Sequence, residues 1–190
     1  MALAPGPQRH GSGPDRRTRV EAVPAASFGE LALPHLDAAY TLARHLVRDA
    51  TVAEDVVQDA FVKALTYFGS FRGENFRAWL LRIVRNAAYD QLRASRGGID
   101  VSLDADDAFD PPDPAEGPEA TLSRKQDARR LADALAALPV TLRECLVLRE
   151  IEELSYHEIG QVTGVPIGTV MSRLWRARRL LLQTRAEAAP

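Results

Sequence analysis

The sequence predicts an all-α protein of two small helical domains joined by a flexible acidic linker, and three observations predict it. Apolar residues recur at helical spacing from about residue 28 to 95 and again from about 121 to 185, and no alternating run is long enough to propose a strand. Between the two periodic blocks lies "RGGIDVSLDADDAFDPPDPAEGPEA". It carries eight acids (Asp100, Asp104, Asp106, Asp107, Asp110, Asp113, Glu116, Glu119) against one base, with Gly97, Gly98, Pro111, Pro112, Pro114 and Pro118 to discourage helix. The expected boundaries are a leader at 1–26, a first domain at 27–95, the linker at 96–120 and a second domain at 121–186.

Composition narrows the function classes. A chain of 190 residues with 46% hydrophobic and 26% charged positions suffices for two small domains. The formal net charge of −2 gives no global sign of nucleic-acid binding, so any such function must rest on how charge is distributed. One cysteine forms no internal disulfide, and no apolar run approaches the ~20 residues of a membrane span. A soluble, cytoplasmic protein without membrane insertion is expected. His10, His35, His45 and His157 are dispersed without cysteines at metal spacing, and no P-loop or nucleophile motif occurs. No cofactor, no metal and no catalytic residue are expected.

Taken in order, the leader 1–26 is rich in Pro, Gly, Ala and Arg without period and reads as disordered. In "TVAEDVVQDAFVKAL", Thr51 and Glu54 form a capping-box pattern, Val56, Val57, Ala60 and Ala64 make a packing face, and Asp55, Gln58 and Asp59 project the other way. Such a face is either solvated or docked on a basic partner. From Arg72 to Arg96, six arginines stand against Glu74 and Asp90. Phe76, Trp79, Leu80, Ile83, Val84 and Ala87 make a buried stripe there. The short loop "FRGEN" sets Phe71, Arg72 and Asn75 beside an exposed helix start, where aromatic and amide groups suit unstacked bases. Cys145, in "LRECLVLRE", reads as a small buried hydrophobe.

The last block is the most explicit. In "SYHEIGQVTGVPIGTVMSRLWRARRLL", Ser155 with Glu158 is a capping box, and Leu154 and Ile159 form its hydrophobic staple. Gly164 supplies a left-handed turn, and Pro166 suits the first turn of a new helix. On that second helix Val170, Leu174, Ala177 and Leu181 share one face, and Thr169, Ser172, Arg173 and Arg176 are expected on an open face roughly 120° away. Arginines and hydroxyls on an open helix face after a tight turn are the chemistry of a major-groove reader.

These stretches, "AEDVVQDAFVKAL", "FRAWLLRIVRNAAYDQLR" and "LPVTLRECLVLREIEELSYHEIGQVTGVPIGTVMSRLWRARRLL", resemble in composition and order the extracytoplasmic-function (ECF) sigma factors of bacterial RNA polymerase. The resemblance implies a sigma region 2 domain and a sigma region 4 domain with its helix-turn-helix. It implies that Asp55, Gln58, Asp59 and Lys63 bind the beta-prime clamp helices of core RNA polymerase. It implies that Phe71, Arg72, Gly73, Glu74, Asn75 and Phe76, with Asn86, capture a flipped base of the minus-ten element. Thr169, Met171, Ser172, Arg173 and Arg176 would face the minus-thirty-five duplex, although the family commonly has Lys or Arg where this chain has Met171. Promoter DNA, core polymerase and an anti-sigma factor are the partners implied, and the acidic linker would thread toward the polymerase channel.

Two other functions are weighed against this one. A free-standing helix-turn-helix regulator needs neither the basic block nor the acidic face, and a non-transcribing mimic that titrates an antagonist needs no DNA-facing arginines. With so acidic and Pro-rich a linker, the two domains of the isolated chain are expected not to be held at a fixed spacing.

Overall fold

A computed structural model describes residues 25–72, 75–95 and 122–187. The leader up to residue 24, Gly73, Glu74 and the whole acidic linker lie outside the described residues. Among the described residues every regular element is a helix.

The first lobe contains α1 (Ala25–Ala32), a 3-10 turn at Leu33–His35, α2 (Leu36–Val47), α3 (Ala50–Tyr67), a second 3-10 turn at Phe68–Ser70 and α4 (Phe76–Ser95). Helices α2, α3 and α4 pack mutually. They meet through small side chains, with Ala39, Ala43, Ala53, Ala60 and Ala88 fully buried, which lets the backbones approach closely while Leu42, Leu46, Leu81 and Val84 fill the gaps. A separate aromatic cluster seals the end of this lobe: Phe28, Phe68 and Phe76 are buried, with Phe61, Phe71 and Trp79 packed against them. The phenylalanine rings meet edge to face, as Phe68 and Phe76 do at 6.0 Å between centroids and 86°, the arrangement their quadrupoles favour, while Trp79 lies tilted against Phe71 and Phe76. Trp79 is half-buried in this cluster rather than enclosed in the main core.

The expected capping box at Thr51 is not the start of α3. The helix begins two residues earlier, capped by Asp49, whose extended backbone lets its carboxylate accept from the Val52 amide at 3.0 Å. The carboxylate also places negative charge at the positive end of the helix, which a threonine hydroxyl does not.

The second lobe contains α5 (Leu122–Ala137), α6 (Val140–Glu150), α7 (Tyr156–Thr163) and α8 (Ile167–Glu187). Ser155 and Glu158 form the expected reciprocal capping box, and Gly164 ends α7 with φ +75. Leu154 and Ile159 are buried together below the cap. Helix α6 is buried continuously from Leu142 to Leu148, because α2 lies on one side of it and α7 and α8 on the other.

That placement overturns the expectation of two domains without a fixed spacing. Helix α4 packs against α7 and α2 against α6, and one contiguous apolar core runs from Ala39 through Tyr89 into Leu138, Leu148, Ile159 and Ala177. The Arg143 guanidinium crosses the junction, donating to the carbonyls of Ala136 (2.8 Å) and Leu138 (2.9 Å) in its own lobe and of Leu46 (3.3 Å) at the end of α2. Linker composition speaks only to the linker; apolar area on the lobes decides whether they meet.

Candidate nucleic-acid interface

The helix-turn-helix is built by local chemistry. Ser155 Oγ accepts from the Glu158 amide (3.3 Å) while Glu158 Oε2 accepts from the Ser155 amide (2.8 Å) and hydroxyl (2.6 Å). These bonds hold the Glu158 carboxyl below its ordinary range, the Ser155 hydroxyl contributing most, with Asn75 and Arg77 adding to it. The left-handed Gly164 then turns the chain, and the Thr169 and Val170 amides donate to the Pro166 carbonyl as α8 begins. Val170, Leu174 and Ala177 seat α8 on α6 and α7, with Leu181 half-buried beyond them.

Of the five residues expected on the open face of α8, Met171, Ser172 and Arg176 are exposed, and Thr169 is half-buried. Arg173 is not on that face: it is only 7% exposed. It follows Val170 by three residues and precedes Ala177 by four, so it falls inside the packed arc, and its Nη1 points to Glu144 Oε1 at 3.4 Å. Trp175 and Arg179 occupy the outward face instead. Trp175 is 60% exposed, with the Arg179 guanidinium 5.3 Å from its ring centroid. The spacing Met171, Trp175, Arg179 is i, i+4, i+8, and it carried the signal.

In the first lobe, Phe71 leans into the aromatic cluster, 5.5 Å from Phe76 and 5.2 Å from Trp79. Arg72 is exposed and its Nη1 folds back onto the Gly69 (2.7 Å) and Phe71 (3.0 Å) carbonyls. Asn75 caps α4, its Oδ1 accepting from the Ala78 amide at 2.9 Å, and its Nδ2 donates to Glu158 Oε1 at 2.7 Å. Phe76 is buried, Asn86 is exposed, and Gly73 and Glu74 lie outside the described residues. Asp55, Gln58, Asp59 and Lys63 are all exposed along α3, with Lys63 4.0 Å from Asp90. Gln58 also lines a groove between α2 and α3 with Leu36, Asp37, Tyr40, Glu54, Val57 and Phe61.

Behind these surfaces lies a buried polar cluster that sequence reasoning missed. Glu144, wholly buried on α6, accepts from Arg85 Nε (2.8 Å) and Nη2 (3.3 Å) and from the Tyr89 hydroxyl (3.0 Å), besides Arg173. The Arg85 guanidinium sits 4.3 Å over the Tyr89 ring. Burial pushes the Glu144 carboxyl up, while Arg85, Tyr89 and Arg173 pull it back. Burial alone would lower Arg85, yet Glu144 and Tyr89 raise it. Tyr89 is pushed up, by burial first and by the Glu144 charge second. Burial and Glu144 likewise push the neighbouring Cys145 thiol up to about 12.

Comparison with known proteins covers both lobes. Residues 31–97 match the family described as Sigma-70 region 2, and residues 128–181 match Sigma-70, region 4. The RNA polymerase sigma-H factor of Pseudomonas aeruginosa is 38% identical over 170 residues, spanning 86% of this chain and 88% of that protein. The ECF RNA polymerase sigma-E factor of Haemophilus influenzae is 37% identical over 134 residues, spanning 67% of this chain and 71% of its own. Among solved structures, the sigma factor RpoE in complex with the anti-sigma factor NepR from Bartonella quintana superposes with a TM-score of 0.65 at 30% identity, covering 86% of this chain and 99% of that one. CnrH in complex with the cytosolic domain of CnrY gives 0.64 at 27% identity, covering 90% and 95%.

Proposed function

The chain belongs to the extracytoplasmic-function sigma factors of bacterial RNA polymerase, and on that premise we propose which of its side chains carry each step of initiation. As a member of a non-catalytic family it directs core polymerase to promoters in the compartment where the polymerase works. The observation that carries the assignment is the pairing of two chemically unlike exposed surfaces with the two matched regions: an acidic face on α3 in the first and an arginine-bearing face on α8 in the second.

Asp55, Gln58, Asp59 and Lys63 form the polymerase contact, because an ordered row of carboxylates and an amide on a rigid helix offers a basic partner both charge and hydrogen bonds. Phe71, Arg72, Asn75 and Phe76, together with Gly73, Glu74 and Asn86, take up an unpaired minus-ten base, whose π-face suits the aromatic cluster. Met171, Ser172 and Arg176 read the minus-thirty-five duplex from the open face of α8, with Trp175 and Arg179 beside them. An arginine reaches guanine bidentately, and Met171 or Trp175 offers apolar contact to a thymine methyl. Arg173 joins them only when it leaves Glu144. The domain boundaries proposed are 27–95 and 121–186. One superposed relative is a sigma factor in complex with an anti-sigma factor, which supports an anti-sigma factor as a further partner here.

Copurification with core polymerase followed by run-off transcription tests the reading. Promoter-dependent transcripts that require this chain are the expected result; specific duplex binding without polymerase, and no transcript with it, would establish a free-standing regulator instead.

A further inference from the structure

The groove between α2 and α3 holds about 440 Å³, and its lining is apolar with charge of one sign. Leu36 and Tyr40 line it from α2 and are 42% and 36% exposed, and the exposed apolar run continues in the chain through Leu33 to Leu31 of α1. Asp37 of α2 and Glu54 of α3 line it too; both are exposed, and among the described residues neither has an ion-pair partner. Open apolar surface beside unpaired carboxylates suits a length of chain in which arginines stand next to small or apolar residues.

Such a segment precedes α1 in this chain. Residues 16–24 read "RRTRVEAVP", with Arg16, Arg17 and Arg19 against Glu21, and with Val20 and Val23 among them. We infer that this segment docks in the α2–α3 groove of its own chain, arginines toward Asp37 and Glu54 and Val20 over the apolar wall, and that when docked it covers the neighbouring polymerase contact. The second half of the inference rests on the assignment of Asp55, Gln58 and Asp59 to core polymerase.

The place where the segment joins the fold favours it over other occupants. Ala25 opens α1 only three residues before Phe28, whose ring lies 6.5 Å from that of Phe61 in the groove lining. Arg19 and Arg16 precede Ala25 by six and nine residues, which extended chain converts to a reach of up to about 20 and 30 Å. Exposed ion pairs are individually weak. A short tether, however, raises the local concentration of the segment to about the millimolar range, so a contact with a dissociation constant near that value already covers the groove about half the time. Gln58 lines the groove and belongs to the assigned polymerase contact, so the segment and polymerase exclude one another there. Affinity for polymerase is then reduced by the fraction of chains whose groove is open.

The test uses the full chain carrying a nitroxide on Ser12→Cys, four residues before Arg16. The native thiol, Cys145, is buried and pushed up to about 12, and does not compete for the label. The amide resonances of Asp37, Tyr40 and Glu54 should broaden, while that of Gln161 on the second lobe is spared. Arg16→Gln with Arg17→Gln and Arg19→Gln should abolish the broadening and raise affinity for bacterial core polymerase about 2- to 10-fold, the factor released when a groove half to nine-tenths covered is opened. Reversing all three arginines to Glu should likewise abolish the broadening, and adding Asp37→Arg with Glu54→Arg should restore it; both substituted carboxylates lie outside the assigned polymerase contact. A nitroxide-bearing chain mixed with an isotope-labelled chain that carries no nitroxide should leave the latter sharp. No broadening in the single chain, or broadening that survives the glutamine substitutions, overturns the docking. Broadening in the mixed sample overturns it in favour of a second copy as occupant. Broadening lost in the glutamine variant with unchanged polymerase affinity leaves the docking in place and overturns the assignment of the polymerase contact to this face.

Discussion

Glu144 and Arg85 lie 59 positions apart in the chain and meet at 2.8 Å, where the Glu144 side chain is fully enclosed and that of Arg85 nearly so. The pair joins the two lobes at their most enclosed point, and Tyr89 and Arg173 complete the carboxylate's shell. Glu144→Gln keeps the volume but removes the charge that the buried Arg85 and Arg173 guanidiniums share. We expect a loss of about 3–5 kcal/mol in urea unfolding, the cost typical of breaking a buried pair on one side. A loss below 1 kcal/mol would show that the site rehydrates in the native state.

Asp55→Ala with Asp59→Ala should weaken binding to core polymerase while leaving helicity and unfolding midpoint near those of the parent, since both side chains are exposed on α3. A pull-down showing undiminished binding would move the contact elsewhere.

Arg176 and Arg173 should behave differently although both stand on α8. Arg176→Ala should lower promoter affinity of the holoenzyme by about 1–3 kcal/mol and relax preference at one base pair, with folding unaffected. Arg173→Ala should cost folding stability as well, because the side chain is packed against Glu144. Paired filter-binding and melting experiments on the two variants read both effects.

The turn between α7 and α8 offers a conformational test. A Cβ at Gly164 would meet nothing within 4 Å, so Gly164→Ala is resisted only by its φ of +75. The expected cost is about 1–2 kcal/mol. Ser155→Ala, which removes one arm of the capping box, should cost about 1 kcal/mol. Either substitution lowering the midpoint without changing the slope of denaturant unfolding is the expected signature.

Acidification should loosen the chain in two stages. His45 is lowered from its ordinary value near 6.5 by burial and by Arg143 and Arg44, against the pull of Glu152. His35 is lowered by burial and Arg77. Their neutral forms favour the fold, so this contribution is complete above about pH 6.5 and is lost as pH falls through the folded values. Glu158 is held below its ordinary 4.5 by Ser155 and Asn75, so its contribution is present above that value and fades below it. Unfolding free energy measured from pH 7 to 3 should fall in both windows, and His35→Gln with His45→Gln should flatten the upper one alone.

What could be read in advance divides by range. Ser155, Glu158, Gly164 and Pro166 act on neighbours within a few residues, so the helix-turn-helix was legible from its own letters. So were the exposed row on α3 and the packing stripe of α4, each a matter of period. Arg173 was not, because an arginine between Val170 and Ala177 looks polar until an acid from another helix is known to await it. Glu144 is equally opaque within "LRECLVLRE", where periodicity marks a helix but not that all its sides are covered. Asp49 and Thr51 are rival caps two residues apart, and only the geometry of the turn before α3 separates them. The joining of the lobes depends on contacts between residues 55 to 97 positions apart, which no local pattern encodes.

That separation also sets a clock during synthesis. A ribosome adding about 5–20 residues per second needs about 3–12 seconds to go from Arg85 to Glu144. For that interval the first lobe emerges with Asn75, Arg77, Arg85 and Tyr89 facing solvent and no glutamate yet made to meet them. Until the second lobe is made, those donors have only water for partners. Completion of translation, by delivering the second lobe, is the event that pairs them.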